Sequence, residues 1–392
     1  MPIQQTIPAR QTADVVIVGG GVIGLSIARA LALRGMKNVM LIERAYLGAE
    51  ASSAAGGILA PQAEADRNDD FFRLTRQSRD LYPALAATLR EETGIEIELD
   101  VRGTIYLAFT KDDEREIEKR YAWQTRAGLP VDKLSAEEVR QAEPCVAENV
   151  RSALRLPLDI QVENRRLVTA LAASAEKQGV QFLIGTNVES LRVGRGRVEG
   201  VETSRGFVAA PAVVLAAGAW TSFISASSQS NQRLPRVSIE PVRGQMLCFA
   251  TRPPIASHVL YSPRGYVVPR LDGRLLAGST CEHAGFDKSV TAGGIHSVLS
   301  NALEIAPRLR DLSVADMWAG LRPRAEDDLP VLGPAREIEG LFYATGHYRS
   351  GILLAPITGE LIAEAIVRNV LSPLLGAFSP KRFALRAVSK SQ

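Results

Sequence analysis

Apolar and polar positions alternate along this chain with two periods, and the switches between them mark its elements. Asp14-Val15-Val16-Ile17-Val18 is a short apolar run of buried-strand length. Ile23, Ile27 and Leu31 then recur at helical spacing, and Gly35 stops that helix. Val39-Met40-Leu41-Ile42 is a second strand, ending on Glu43. Residues 71–93 carry helical spacing through Phe72, Leu74, Leu81, Leu85 and Leu89, with strand-like text at 95–99 and 103–109. A charged helix is predicted over 112–127. A shorter one over 135–142 opens with Ser135 three residues before Glu138, the spacing of a capping box. Helix 164–178 leads into strand 180–184, and 188–193, 198–203 and 207–209 alternate like a small antiparallel meander.

The second half repeats the alternation. Val213-Val214-Leu215-Ala216-Ala217-Gly218 is apolar throughout, the pattern of a strand buried between helices. Residues 225–231 are polar and predict a surface loop. Strands dominate from 237 to 321, and Asp272-Gly273 marks a hairpin between 266–270 and 274–278. A helix through Leu299, Leu303 and Ile305 precedes a strand over 314–321. The chain closes with strand 341–344, a glycine-bearing turn over 345–351 and a helix from about 356 to 367. The pattern predicts α/β plus α+β character: a doubly wound cofactor domain from 12–95, 155–230 and 315–375, interrupted by a mostly antiparallel substrate-binding domain from 96–154 and 231–314.

Composition narrows the class. A length of 392 residues exceeds one ordinary core, and 46% apolar with 23% charged residues describes a soluble globular protein. The net charge of +3 is spread among mixed signs, which argues against a nucleic-acid partner. Cys145, Cys248 and Cys281 are odd in number and too far apart for a metal knuckle or redox pair, so reduced thiols are expected. Met1-Pro2-Ile3-Gln4-Gln5 does not open a secretion signal, and no run approaches the roughly 20 apolar residues of a membrane span. The expectation is a cytoplasmic protein with no integral membrane segment.

The most specific chemistry lies in the first turn, Gly19-Gly20-Gly21-Val22-Ile23-Gly24. In the order strand, G-x-G-x-x-G, helix, strand, acid, Gly19 makes the tight turn and Gly21 admits a pyrophosphate. Gly24 packs the helix on the strand, and Glu43 can accept ribose hydroxyls. The helix start offers N–H groups to the phosphates. Alone, the motif is an ordinary glycine-rich turn; in this order it is a dinucleotide fingerprint.

Four further segments follow in sequence: Ser52-Ser53-Ala54-Ala55-Gly56-Gly57-Ile58-Leu59; Gly265-Tyr266-Val267-Val268-Pro269-Arg270; Trp318-Ala319-Gly320-Leu321-Arg322-Pro323; and 346–356, from Gly346-His347-Tyr348-Arg349 onward. With the fingerprint they resemble the D-amino-acid oxidase superfamily of flavoproteins, and within it the glycine oxidase branch of the thiamine pathway, from about residue 14 to 367. The resemblance implies a glutathione-reductase-like FAD domain and noncovalent FAD. The cofactor would be held by Gly19, Gly21, Val22, Ile23, Gly24, Glu43, Arg44, Ser52, Ser53, Ala54, Gly56 and Gly57. It would also be held by Val188, Ala217, Gly218, Gly346, Tyr348, Arg349, Ser350, Gly351, Ile352 and Leu353. It implies catalytic roles for Tyr266, Arg322 and Arg349, and no metal. The implied reaction passes a hydride from Cα of glycine, sarcosine or a small D-amino acid to flavin N5. The imine then hydrolyses, and dioxygen reoxidises the flavin to give hydrogen peroxide.

Each candidate has a competing structural role. Arg322 is expected where a strand meets a Pro-rich loop and suits a bidentate carboxylate pair, against an ion pair with Asp327 or Asp328. Tyr266 either adds its hydroxyl to that carboxylate or packs in a strand. The turn 345–351 either aims a helix start at the flavin N1–C2=O edge or is a routine loop. Arg349 borders the amine through its backbone or covers the pocket with its side chain. His258, His283 and His296 are expected at the surface or in packing, and His347 falls in the flavin loop without a base role. Cys281 and Arg264 fall near pocket positions, and Gly57 would leave room for a larger substrate. Two other enzymes remain open: a flavin dehydrogenase passing electrons to a quinone or carrier, and a nicotinamide-dependent Rossmann dehydrogenase. A non-catalytic flavin scaffold would need neither Arg322 nor Tyr266. Homo-oligomerisation is left open.

Overall fold

All four residues of the strand Val15–Val18 are buried, so it must be covered on both faces. In the computed structural model, which describes residues 10–228 and 237–383, it lies inside a six-stranded sheet. Ala212–Leu215 and Val39–Glu43 flank it in parallel, Leu341–Thr345 and Gln181–Ile184 extend the sheet, and Val331–Pro334 adds an antiparallel edge. Side chains alternate across the pleat. Val15, Ile17, Val39, Leu41 and Val214 face the helices Val22–Leu33, Asn164–Lys177 and Gly351–Arg368. Val16, Val18, Met40, Ile42, Val213 and Leu215 face the other way.

That second face is covered by a sheet rather than helices. Val188–Gly194, Arg197–Thr203 and Gly206–Ala209 form the expected meander, and Leu191, Val193, Val198, Val201 and Val208 supply its apolar face. Strand 212–215 is therefore sandwiched between helices and a meander, not between two helical layers. Ser225–Ser228, part of the predicted loop, pairs in parallel with Val188–Gly194 as an edge strand, which needs backbone groups but no apolar side chains. Residues 229–231 and the N-terminal residues 1–5 lie outside the described residues.

An eight-stranded sheet stands beside this layered unit. Its order is Ser313–Ala325, Ile239–Ala250, Arg274–Gly278, Gly265–Pro269, Val259–Ser262, Thr104–Ala108, Ser152–Leu156 and Asp132–Ser135. All neighbours are antiparallel except 259–262 with 104–108. Helix Ala292–Ile305 covers one face through Val298, Ala302 and Ile305 against Leu247, Phe249, Val267 and Leu275. Strand Ser313–Ala325 pairs along its length with Ile239–Ala250.

Three local expectations shift for physical reasons. Helical text 71–93 resolves into Asp70–Asp80 and Tyr82–Thr93, because Pro83 lacks the N–H to continue the first helix. Residues 95–99 form no strand: Glu98 sits at φ 53, which breaks an extended run while Ile97 stays buried. The last helix begins at Gly351, with Pro356 inside it. Proline has no N–H for the Ile352 carbonyl, and the buried Tyr82 hydroxyl donates to that oxygen instead. Ser78 Oγ donates to the next carbonyl, that of Leu353, at 2.6 Å. The proline marks a re-bonded turn, not a helix start.

Tyr82→Phe should therefore keep the ring's packing but leave a buried carbonyl without a partner, at a cost of about 1–3 kcal/mol. Urea unfolding of the purified protein measures it. A midpoint unchanged from wild type would show that another donor serves Ile352.

Candidate active site

Gly19 has φ +112, and a Cβ there would lie 2.5 Å from the Ala216 carbonyl oxygen. A Cβ on Gly24 would lie 2.0 Å from the Gly19 oxygen. Both glycines are thus fixed by close backbone approach. Gly21 precedes helix Val22–Leu33 without any side-chain cap of its own. The Val22 N–H donates to Ser52 Oγ at 3.0 Å. Glu43 accepts from the Gly20 N–H at 2.7 Å and the Ala45 N–H at 2.9 Å.

A cavity of about 620 Å³ runs from this turn to Arg322, and the start of helix Gly351–Arg368 also opens onto it. Ser350 provides that helix with no side-chain cap, and Gly351, Ile352 and Leu353 line the wall. Two helix starts converging on one cavity, around a tight glycine turn whose Gly19 and Gly21 line it, suit a pyrophosphate-bearing dinucleotide. Of the residues expected at the cofactor, all line this cavity except Gly24, Ser53 and Gly346. Gly24 lies behind the turn. Ser53 turns its hydroxyl back to the Glu50 carbonyl, and Gly346, at φ +71, packs towards Val331 and Ala325.

At the other end stand Arg322 and Tyr266. Arg322 is inside strand Ser313–Ala325, not at a strand end, because pairing continues through Pro323 opposite Pro241. Its Nη2 donates to Ser279 Oγ at 2.6 Å and its Nη1 to the Thr280 carbonyl at 3.1 Å. Asp327 pairs with Arg382 and Asp328 with Arg324, so neither neutralises Arg322, which has no ion pair among the described residues. Gly244 makes its position possible, since a Cβ there would lie 2.2 Å from Arg322 Nη2. Gly278 does the same for Tyr266, whose hydroxyl lies 3.4 Å from Met246 Sδ. Sequence reasoning missed Gly244, Met246, Gly278 and Ser279. A glycine inside an apolar strand pattern, as at 244, is the signal that marks a close approach.

The remaining candidates separate cleanly. Arg349 lines the cavity and extends its side chain to the Tyr261 hydroxyl at 3.1 Å and to Glu64 at 3.7 Å. Arg264 does not reach the cavity, because Asp113 and Glu304 each hold it at 3.0 Å. Cys281 also lies outside the lining, with its Sγ 3.3 Å from the Tyr348 hydroxyl. Gly57, at φ +70, makes room for Arg270 and the Val162 carbonyl rather than for substrate. His258 pairs with Glu143 and His283 with Glu240. All three cysteines are free, and no metal-holding cluster occurs among the described residues.

His347 is 2% exposed and bonds Thr358 Oγ1 through Nε2 at 3.1 Å. Burial pushes its pKa down to about 3 from 6.5, so it stays neutral. The unfolded chain then binds a proton that the folded chain refuses. Stability should be full above pH 6.5 and fall as pH drops towards 3, by up to about 1.4 kcal/mol per unit. Urea unfolding between pH 7 and 5 should show this slope, and His347→Gln should flatten it. An equal slope in the variant would assign the acid sensitivity to other groups.

The geometry agrees with the comparisons. Residues 14–365 match the family described as FAD dependent oxidoreductase, DAO. A glycine oxidase of Geobacillus kaustophilus is 38% identical over 372 residues, covering 94% of this chain and 97% of that one. A bifunctional ThiO/ThiG protein of Trichormus variabilis is 36% identical over 380 residues, which span 96% of this chain but 56% of that longer protein. The crystal structure of glycine oxidase from Geobacillus kaustophilus matches with a TM-score of 0.89 at 37% identity, covering 95% of this chain and 99% of that one. No helix among the described residues is long and apolar enough to cross a membrane. On the family match across 14–365 and the glycine cradle that fits its cofactor, the chain belongs to the DAO family of FAD-dependent oxidoreductases.

Proposed function

We propose that this protein is an amino-acid oxidase for glycine, sarcosine and small D-amino acids, acting with dioxygen in the cytoplasm. Its similarity to glycine oxidase and to part of a ThiO/ThiG protein supports a place in thiamine thiazole biosynthesis. The observation that carries the reading is Arg322, a guanidinium on the cavity wall held by a hydroxyl and a carbonyl but by no carboxylate. A substrate carboxylate supplies the missing charge. In this reading the parallel sheet and its helices hold FAD, and the eight-stranded sheet, including Ser313–Ala325, holds the substrate.

Bound FAD supplies the acceptor for the electron pair that leaves with the Cα hydrogen. The protein's part is orientation. Arg322 fixes the carboxylate, and the Tyr266 hydroxyl donates to the same group. Gly56 lies against the Tyr266 ring, where a Cβ would come within 3.3 Å, so the loop and the ring together narrow the space over the substrate. His347 is buried, neutral and engaged with Thr358, so it takes no proton from Cα. The substrate enters with a neutral amine, and no base is required.

Three outcomes test this. Acid precipitation should release the yellow chromophore into solution, as noncovalent binding requires; colour in the pellet would refute it. Arg322→Ala should keep the flavin spectrum while losing on the order of 2–5 kcal/mol in kcat/KM for glycine. Arg322→Lys should recover little, because an ammonium lacks the planar fork. Near-normal turnover by the alanine variant would remove the clamp. Oxygen uptake and peroxide should appear with glycine and D-alanine but not with L-alanine or ethylamine. With carboxylate and amine both fixed, only one substituent of Cα can point at the acceptor. Anaerobic bleaching of the flavin without peroxide in air would indicate a dehydrogenase instead.

A further inference from the structure

Residues 281–290 leave the substrate-side sheet, cross to the cofactor side and return. The segment is pinned on strand Ile239–Ala250 at both ends and at Asp287, between its two tip residues. Arg243, 6% exposed, donates to Glu282, Asp287 and Ser289, and Gln245 donates to Thr291 Oγ1 at 3.0 Å. The tip carries Phe286 and Lys288. Phe286 stands 5.6 Å from the Trp220 ring and 4.9 Å from the Phe223 ring. Lys288 Nζ pairs with Glu50 at 2.8 Å. The residues they touch all line the cavity: Trp220, Phe223 and Glu50. Arg44 completes the circuit, lying 3.9 Å over the Trp220 ring and 2.5 Å from Glu50.

We propose that residues 281–290 form a clasp that retains FAD, closing through Phe286 and Lys288 over the end of the cavity walled by Arg44, Glu50, Trp220 and Phe223. Phe286 belongs to none of the buried apolar clusters among the described residues, and Arg322 and Tyr266 are held by partners other than the two tip residues. Phe286 is 40% and Phe223 64% exposed, so their contact is a surface closure rather than a core. Offset and tilted aromatic contacts of this kind and an exposed ion pair are individually weak. Arg243 keeps the backbone of the segment in place through Asp287 and Ser289, so the closure opens by the Phe286 and Lys288 side chains swinging off the end of the cavity. FAD leaves when the clasp is up and is held when it is down.

The test follows FAD release from the purified holoprotein by recovery of free-flavin fluorescence after dilution, with no substrate present, so it is independent of the proposed reaction. Phe286→Ala should speed release on the order of tenfold by removing two aromatic contacts. Lys288→Glu should speed it by roughly two- to fivefold. Glu50→Lys combined with Lys288→Glu should return part of that loss. Raised salt should speed wild-type release more than release from Lys288→Glu. The thermal midpoint of the apoprotein should be the same in wild type and Phe286→Ala while that of the holoprotein falls. Release within about twofold of wild type in both single variants, or an apoprotein midpoint that falls as far as the holoprotein's, would overturn the clasp.

Discussion

Arg270 is the constraint on which the geometry of the cavity rests. Its guanidinium is 4% exposed and makes four hydrogen bonds, all to neutral oxygens. These are Gln161 Oε1 at 3.0 Å, the Val162 carbonyl at 2.7 Å, the Gly56 carbonyl at 2.9 Å and Asn164 Oδ1 at 3.1 Å. Burial lowers its pKa to about 10, which still leaves it charged at neutral pH. A buried cation is tolerated when fixed acceptors meet most of its hydrogen bonds, and here both terminal amino groups are filled while Nε has no partner among the described residues. Here the acceptors come from two segments, 56 and 161–164, that are remote in sequence from the strand carrying Arg270. Asn164 passes the constraint on, donating to the carbonyls of Ser52 and Ser53. Ser52 in turn receives the Val22 N–H. One side chain, four residues beyond Tyr266, thus ties the end of strand Gly265–Pro269 to the glycine turn at the far end of the cavity.

That coupling explains why glycine recurs where it does. Gly57 has no Cβ because one would lie 2.9 Å from Arg270 Nη2 and 2.1 Å from the Val162 oxygen. Gly244 and Gly278 play the same part in the eight-stranded sheet, where Arg322 and the Tyr266–Met246 contact lie over neighbouring strands. A glycine inside a strand weakens it by lost entropy and packing. The compensation is a pair of polar side chains held by sheet geometry instead of by loops, which fixes their positions more tightly.

How much of this was legible in the sequence follows from the range of each interaction. The first turn, the Ser135 capping box and the Asp272-Gly273 hairpin are local. Their residues lie within a few positions of one another, and the structure has them as the spacing predicts. Residues 213–218 could be read as a doubly covered strand because they are apolar throughout, yet the identity of the cover could not. A meander and a helix present the same apolar face to Val213 and Leu215. Pro356 was misread as a helix start because the donors that repair its turn, Tyr82 and Ser78, lie more than 250 residues away. The family resemblance placed Arg264 near the pocket. Its fate was decided by Asp113, 151 positions off.

The same logic separates Arg322 from the other arginines around it. Charge alone does not mark a binding residue, since Arg243, Arg264, Arg324 and Arg382 are all paired with carboxylates of the chain itself. Those pairs neutralise the guanidinium and fix its orientation, so they leave no electrostatic demand for a ligand. Arg322 has its orientation fixed by Ser279 and Thr280 but its charge left open. Orientation without neutralisation is the condition a carboxylate site requires: the free protein has already met the ordering cost, and the anion gains the whole charge-assisted pair. Arg270 shares the missing carboxylate but not the exposure to the cavity, and its fork is filled by fixed oxygens. Of the two unneutralised arginines that frame Tyr266, one therefore builds the wall and the other opens onto the cavity.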